Sequence, residues 1–224
     1  MKINRFWLRI MGLSGIIGGL ILFAGDMLFY YDSASTNLLL NMGNASDSRI
    51  LFSGISALLA TWFYLFGLGQ VYYAFMPTGK IARNIVMACF AAILSSYGII
   101  HSAYLAIATT AKLAVQNHLD IEIATALASN TNNSLRLMIY PIFALLSFVF
   151  ITQVWKRKTL YPRWIIFFFP LIPFLFKGLI GTILSGSIWI VVSGGFLNLI
   201  IVVFFMASTI ALWNNNAESG FSQE

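Results

Sequence analysis

The stretch Gly18-Gly19-Leu20-Ile21-Leu22-Phe23-Ala24-Gly25-Asp26-Met27-Leu28-Phe29-Tyr30-Tyr31 decides the fold class, because it belongs to an apolar run from Trp7 to Tyr31 that carries one acid, Asp26. A spanning helix needs about 20 apolar residues. A carboxylate inside a bilayer is costly, so it faces the bundle interior and pairs with a cation, a donor or water. The run reads as a transmembrane helix with one polar group to satisfy, and the rest of the chain is read for its partners.

Of the 224 residues, 59% are hydrophobic and 9% charged, against about 25% charged in a soluble domain. No stretch between the apolar runs is long enough for an extramembrane domain, so residues 1–224 are expected to form one all-α polytopic bundle. The net charge of +6 comes from short cationic clusters at the ends of apolar runs, which are topology signals and not a nucleic-acid face. Cys89 is single and lies in an apolar run, so no intramolecular disulfide is expected. Lys2, Arg5 and Arg9 before the first run resemble a signal-peptide start, but the run is too long, ends in Asp26 and bulky aromatics, and has no small-residue cleavage site. It is retained as the first span.

Six segments qualify as spans, roughly 7–30, 51–76, 84–110, 135–155, 164–184 and 188–213, with a tight turn at Ser185-Gly186-Ser187. Lys2, Arg5, Arg9, Lys80, Arg83, Lys156, Arg157, Lys158 and Arg163 fall on one side, and Arg49, Lys112 and Arg136 on the other. The positive-inside rule then puts both termini in the cytoplasm, and the acidic tail with Glu218 and Glu224 barely counts. Short loops and lean termini point to a bacterial inner (plasma) membrane. The sequons at Asn44 and Asn132 fall in the two outer loops and read as chance. Leu38-Leu39-Leu40 is expected to dip into the interface as part of a lid. Residues 111–128 read as a helical extension lying on the headgroups, with Leu119, Ile123 and Leu127 on one side. The stretch from Lys156 to Trp164 reads as a cytoplasmic interface anchor.

Gly15 with Gly19, and Ala88 with Ala92 and Ser96, repeat small residues every fourth position, which lets helix backbones approach closely. No internal repeat is visible, so the inverted-repeat signature of many transporters is missing.

At a rise of about 1.5 Å per residue, Asp26 lies about 6 Å below the outer surface, Lys177 about 10 Å, His101 about 13 Å and Asn198 about 15 Å. Arg49 and Arg136 are expected above them, at the starts of the second and fourth spans. Tyr97, His101 and Tyr104 share a stripe of one helix; Pro170, Pro173 and Lys177 share a face of another; Gly194 and Asn198 share a face of the last. A polar pocket in the outer half is the expectation, with Asp26, Arg49, Tyr97, His101, Tyr104, Arg136, Tyr140, Lys177 and Asn198 as candidate ligand-binding residues.

Each residue also has a purely structural reading. Asp26 with Lys177 or an arginine is then a buried ion pair, His101 a satisfied core histidine, Lys177 a snorkelling side chain and Asn198 an interhelical hydrogen bond. Nucleophilic hydrolysis, with Asp26 and His101 orienting Ser185, Ser187 or Ser193, lacks a G-x-S-x-G elbow. With two histidines in the chain a metal site is not expected, nor is any cofactor. Acid–base chemistry needs only Asp26 and His101. A binding role uses more of the set: Lys177, Arg49 and Arg136 offer charge to an anionic group, the tyrosines offer amphipathic rings and the bilayer offers acyl chains.

Gly25-Asp26-Met27-Leu28, Ser48-Arg49, Leu160-Tyr161-Pro162-Arg163-Trp164, Gly194-Gly195 with Asn198, and Ser208 to Trp213 give the chain a pattern that resembles a bacterial family of six-helix inner-membrane proteins of unknown function. The resemblance implies an integral membrane protein and transfers no activity. The chain departs from ceramidase-like and adiponectin-receptor-like hydrolases, having no histidine cluster, and does not match sterol isomerases. The functional expectation is a membrane protein that binds, and as an extension transports, a lipid-like or small amphipathic anion. The alternatives are a lipid-modifying enzyme using His101 and Asp26, and a structural subunit of a membrane complex. Membrane lipid and a small amphipathic ligand are the expected partners, and nucleic acid is not.

Overall fold

An α-helix satisfies its backbone polar groups internally, as lipid requires. The computed structural model describes residues 4–214 and is built of helices and turns, with no strand among the described residues. In chain order these are α1 (Arg5–Tyr30), α2 (Leu38–Asn44), α3 (Asp47–Ala74), α4 (Lys80–Gln116), α5 (Ile121–Trp155), α6 (Ile165–Phe168), α7 (Leu171–Leu175), α8 (Lys177–Ile183) and α9 (Gly186–Leu212). Among the described residues five, α1, α3, α4, α5 and α9, are long and apolar enough to cross a membrane. The chain is a multi-pass membrane protein.

The segment expected as one span over 164–184 is not continuous. Pro170 pushes the residue before it out of the α region, and Phe169 is accordingly extended, with φ −66° and ψ 136°. Pro170 then caps α7, and the chain bends again at Phe176. The result is three short helices in place of one.

Two helices run further than expected. α4 has 37 residues and α5 has 35, roughly 50–55 Å each at the helical rise, against a hydrocarbon core of about 30 Å. They pack together and reverse at 117–120, where His118 has φ +53° and Asp120 caps α5 by accepting from the Glu122 and Ile123 amides. Residues 111–128 are therefore the tip of a projecting hairpin and not one surface helix. Its apolar side stays open, with Ile123 77% and Leu127 80% exposed. Pro141 lies inside α5.

Arg9 donates to the Trp213 carbonyl at 3.1 Å and stacks on its ring, so the start of α1 and the end of α9 share one end of the bundle. The α5–α6 connection is at that end too. There the Leu160 amide donates to the Ala74 carbonyl at 2.8 Å, and the Tyr161 hydroxyl lies 2.7 Å from Ser208 Oγ. Arg5, Arg9, Lys80, Arg83, Lys156, Arg157, Lys158 and Arg163 all belong to this basal end; Lys2, Glu218 and Glu224 lie outside the described residues.

The basal half is closed by aromatic packing. Phe150 stacks on Phe169 at 4.4 Å between centroids and Phe90 on Phe204 at 5.6 Å, with Phe75 and Tyr161 against Phe150. α1 is packed between α3 and α9 by its small residues. A Cβ added at Gly67 of α3 would lie 2.8 Å from Gly15 Cα, so these backbones are in contact, while Gly15 and Gly19 leave room for Phe205 and Val202 of α9. In the distal half Phe29, Tyr30 and Tyr104 pack together, and a cavity opens beside them.

Candidate functional site

Leu22, Asp26 and Tyr30 recur every fourth residue on α1 and so point the same way. With Tyr97, His101 and Tyr104 of α4, Arg136 and Tyr140 of α5, Lys177 of α8 and Asn198 of α9, they line a cavity of about 280 Å³. Every candidate ligand-binding residue except Arg49 faces this space. Arg49 instead caps α1: its guanidinium donates to the carbonyls of Leu28 at 3.0 Å, Met27 at 3.3 Å and Tyr31 at 2.8 Å. A helix leaves its last carbonyls without internal partners, and Arg49 of α3 supplies them at the end of α1. Because α5 begins at Ile121, Arg136 lies four turns inside the helix, at the cavity wall.

Asp26 is satisfied by neither Lys177 nor an arginine. Its Oδ1 lies 3.2 Å from His101 Nδ1, and its Oδ2 accepts from Asn198 Nδ2 at 2.5 Å. His101 Nε2 lies 2.8 Å from Ser53 Oγ, and Ser53 donates to the Gly25 carbonyl at 2.7 Å. One chain of polar contacts thus ties α9, α1, α4 and α3 together. Gly25 makes the closeness possible, since a Cβ there would stand 3.1 Å from Ser56 Cβ and 3.3 Å from His101 Nε2.

Arg136 and Lys177 are left without a carboxylate among the described residues. Arg136 donates to the Tyr104 hydroxyl at 3.2 Å, and Lys177 Nζ lies 5.9 Å from the centre of the Phe196 ring. Both are half-buried at the cavity wall. A second, apolar groove of about 640 Å³ runs between α5 and α7, and shares Tyr140, Phe143 and Phe174 with the polar cavity.

Sequence reasoning missed Ser53 and Tyr30. Tyr30 packs edge-on against Tyr104 at 6.0 Å and lies over Gly194, where a Cβ would come within 2.9 Å of its ring. Its four-residue spacing from Asp26 was the available signal. Ser53 had none, being one serine in an apolar helix. Of the serines weighed as nucleophiles, Ser193 lines the cavity, whereas Ser185 and Ser187 are exposed at the start of α9. Ser53, His101 and Asp26 follow the atom order of a nucleophilic triad. Ser53, however, is fully buried, is hydrogen-bonded to Gly25 and does not line the cavity, so a substrate there meets His101 and Asp26 first. Leu38, at the start of α2, lines the cavity at its distal side, and Asn41 ties α2 to α1 by donating to the Tyr30 carbonyl at 2.8 Å.

Neither a curated protein nor a solved structure matches the chain. A family model does match, over residues 1–215, and so takes in every helix and every cavity-lining residue described above. The chain belongs to that family, DUF6796, a family of unknown function.

Proposed function

We propose that the cavity holds the anionic head of a lipid-like or small amphipathic molecule, whose apolar tail lies in the groove between α5 and α7. The observation that carries this reading is the pair Arg136 and Lys177, two half-buried cations on a cavity whose one carboxylate, Asp26, is engaged by His101 and Asn198. Buried cations call for a counter-charge, and an anion bound here supplies it. Continuity of the cavity with the apolar groove through Tyr140, Phe143 and Phe174 supports an amphipath over a free inorganic ion. The basal cluster of Lys and Arg faces the cytoplasm under the positive-inside rule. The broken segment α6–α8 is the sixth crossing, because it leads from the basal end at Tyr161 to the distal start of α9.

The test is calorimetric titration of decanesulfonate into the protein in phosphatidylcholine nanodiscs, with empty nanodiscs as blank and methanesulfonate as a tail-less comparison. Loss of a charge-assisted hydrogen bond is worth about 1.5–3 kcal/mol, so Arg136→Met and Lys177→Met are each expected to weaken decanesulfonate binding at least about tenfold. Methanesulfonate is expected to bind more weakly than decanesulfonate. No binding by the wild type, or equal binding by both variants, overturns the reading. A second reading, acid–base modification of the bound molecule, draws on the presence of His101 and Asp26 on the same wall; it requires turnover that His101→Ala abolishes in a folded protein.

A further inference from the structure

We propose that the Asp26–His101 pair takes up one proton with each anion, so that the cavity binds a proton and an anion together. This rests on the anion-binding reading above and adds the identity of the co-bound ion. Asp26 is the one carboxylate on the cavity among the described residues, and it faces the space that Arg136 and Lys177 line. An ionised carboxylate there opposes an entering anion unless a proton offsets it.

The hydrogen bonds count that proton. Ser53 has one hydroxyl hydrogen, and its contact with the Gly25 carbonyl uses it, because a carbonyl only accepts. The contact between Ser53 Oγ and His101 Nε2 therefore needs its hydrogen on Nε2. The contact between His101 Nδ1 and Asp26 Oδ1 needs another, on either atom. In this geometry, which is that of the proton-loaded, anion-accepting state, Asp26 and His101 together hold two protons, one more than a carboxylate beside a neutral imidazole, and the pair carries no net charge. Releasing that extra proton leaves the pair at minus one. It also obliges the Ser53 hydroxyl to turn from the Gly25 carbonyl to Nε2, a discrete rearrangement inside a closed contact chain.

No other group facing the pair does this work. On α1 Phe29 packs on the His101 ring and Tyr30 lines the same cavity; on α3 stand Ser53 and, further off, Tyr64, while Arg49 is turned to the end of α1. Across the same cavity stand Tyr97 and Tyr104 of α4, Arg136 and Tyr140 of α5 and Lys177 of α8. On α9 the neighbour is Asn198, which has no charge to give. Arg136 and Lys177 make no contact with Asp26 and stay available to the anion. Proton and anion then favour one another's binding reciprocally.

The experiment is the decanesulfonate titration repeated from about pH 5 to about pH 9, a span that brackets histidine titration, in buffers of different ionisation enthalpy. Decanesulfonate does not titrate, so any proton uptake belongs to the protein. The expected result is uptake of up to one proton per anion and a Kd that weakens with rising pH, by up to tenfold per unit. Asp26→Asn is expected to bind with no pH slope and no uptake while keeping its dependence on Arg136. If the wild type binds through Arg136 with a constant Kd and no uptake, the proton inference fails and the anion site stands. If Arg136→Met binds as well as the wild type, the anion reading itself fails, and this inference with it. Should Asp26→Asn not fold, the buffer series on the wild type decides alone.

Discussion

Gly67→Ala tests the packing that sets where α1, and hence Asp26, stands. The added Cβ would lie 2.8 Å from Gly15 Cα and 2.9 Å from Gly15 N. Carbon atoms pack at about 3.5–4.0 Å, so relief requires roughly 1 Å of separation. The atoms met are backbone, and no rotamer change removes them; α1 and α3 must move apart. Overpacking of this kind costs about 1–3 kcal/mol, partly offset by the gain of about 1 kcal/mol for Ala over Gly in a helix. At about 2–4 °C per kcal/mol for a chain of this size, the net effect is a fall in midpoint of a few degrees. The displacement also reaches the polar chain, because Gly25 of α1 is held close against Ser56 of α3 and against His101 of α4. The assay is thermal unfolding in nanodiscs followed by tryptophan fluorescence, with Gly181→Ala as comparison. An added Cβ at Gly181 has nothing within 4 Å, so that variant keeps the propensity gain and loses nothing. A Gly67→Ala midpoint equal to or above that of Gly181→Ala would refute the argument.

Arg49→Met removes a side chain that does not line the cavity and caps three carbonyls at the end of α1. It is expected to lower stability by about 1–2 kcal/mol and to leave the decanesulfonate Kd unchanged, as read by unfolding and calorimetry on the same preparation. Tyr161→Phe breaks the basal contact with Ser208, which itself donates to Gln70 Oε1 at 2.7 Å. The expected loss is about 1 kcal/mol, and a midpoint unchanged from wild type would show that this contact contributes nothing to stability.

The apolar runs, the single acid in the first of them and the prolines of 164–184 were legible because each acts through its own neighbourhood. Length against bilayer thickness identifies a spanning helix, and helical rise assigns depth from residue counting alone. Asp26, His101, Lys177 and Asn198 could for that reason be put at one level, and all four line one cavity. Placing Pro170, Pro173 and Lys177 on one face treats the segment as a single continuous helix, which the structure does not have. What ends it is the steric rule for the residue before proline, carried out at Phe169.

Sequence by itself thus determined the class of protein, the helices' approximate positions and the common level of Asp26, His101, Lys177 and Asn198. Tertiary structure alone decided who meets whom: Asp26 with His101 and Asn198, His101 with Ser53, Arg49 with the end of α1, and Arg136 and Lys177 with the open space. The reason is geometric. Depth is a one-dimensional quantity fixed by rise along a single helix, whereas partnership depends on how each helix is rotated and which neighbour it packs on. Asn198 and Asp26 are 172 residues apart, and what brings them together is the close packing that Gly15, Gly19, Gly25 and Gly67 permit between α1 and the helices on either side of it.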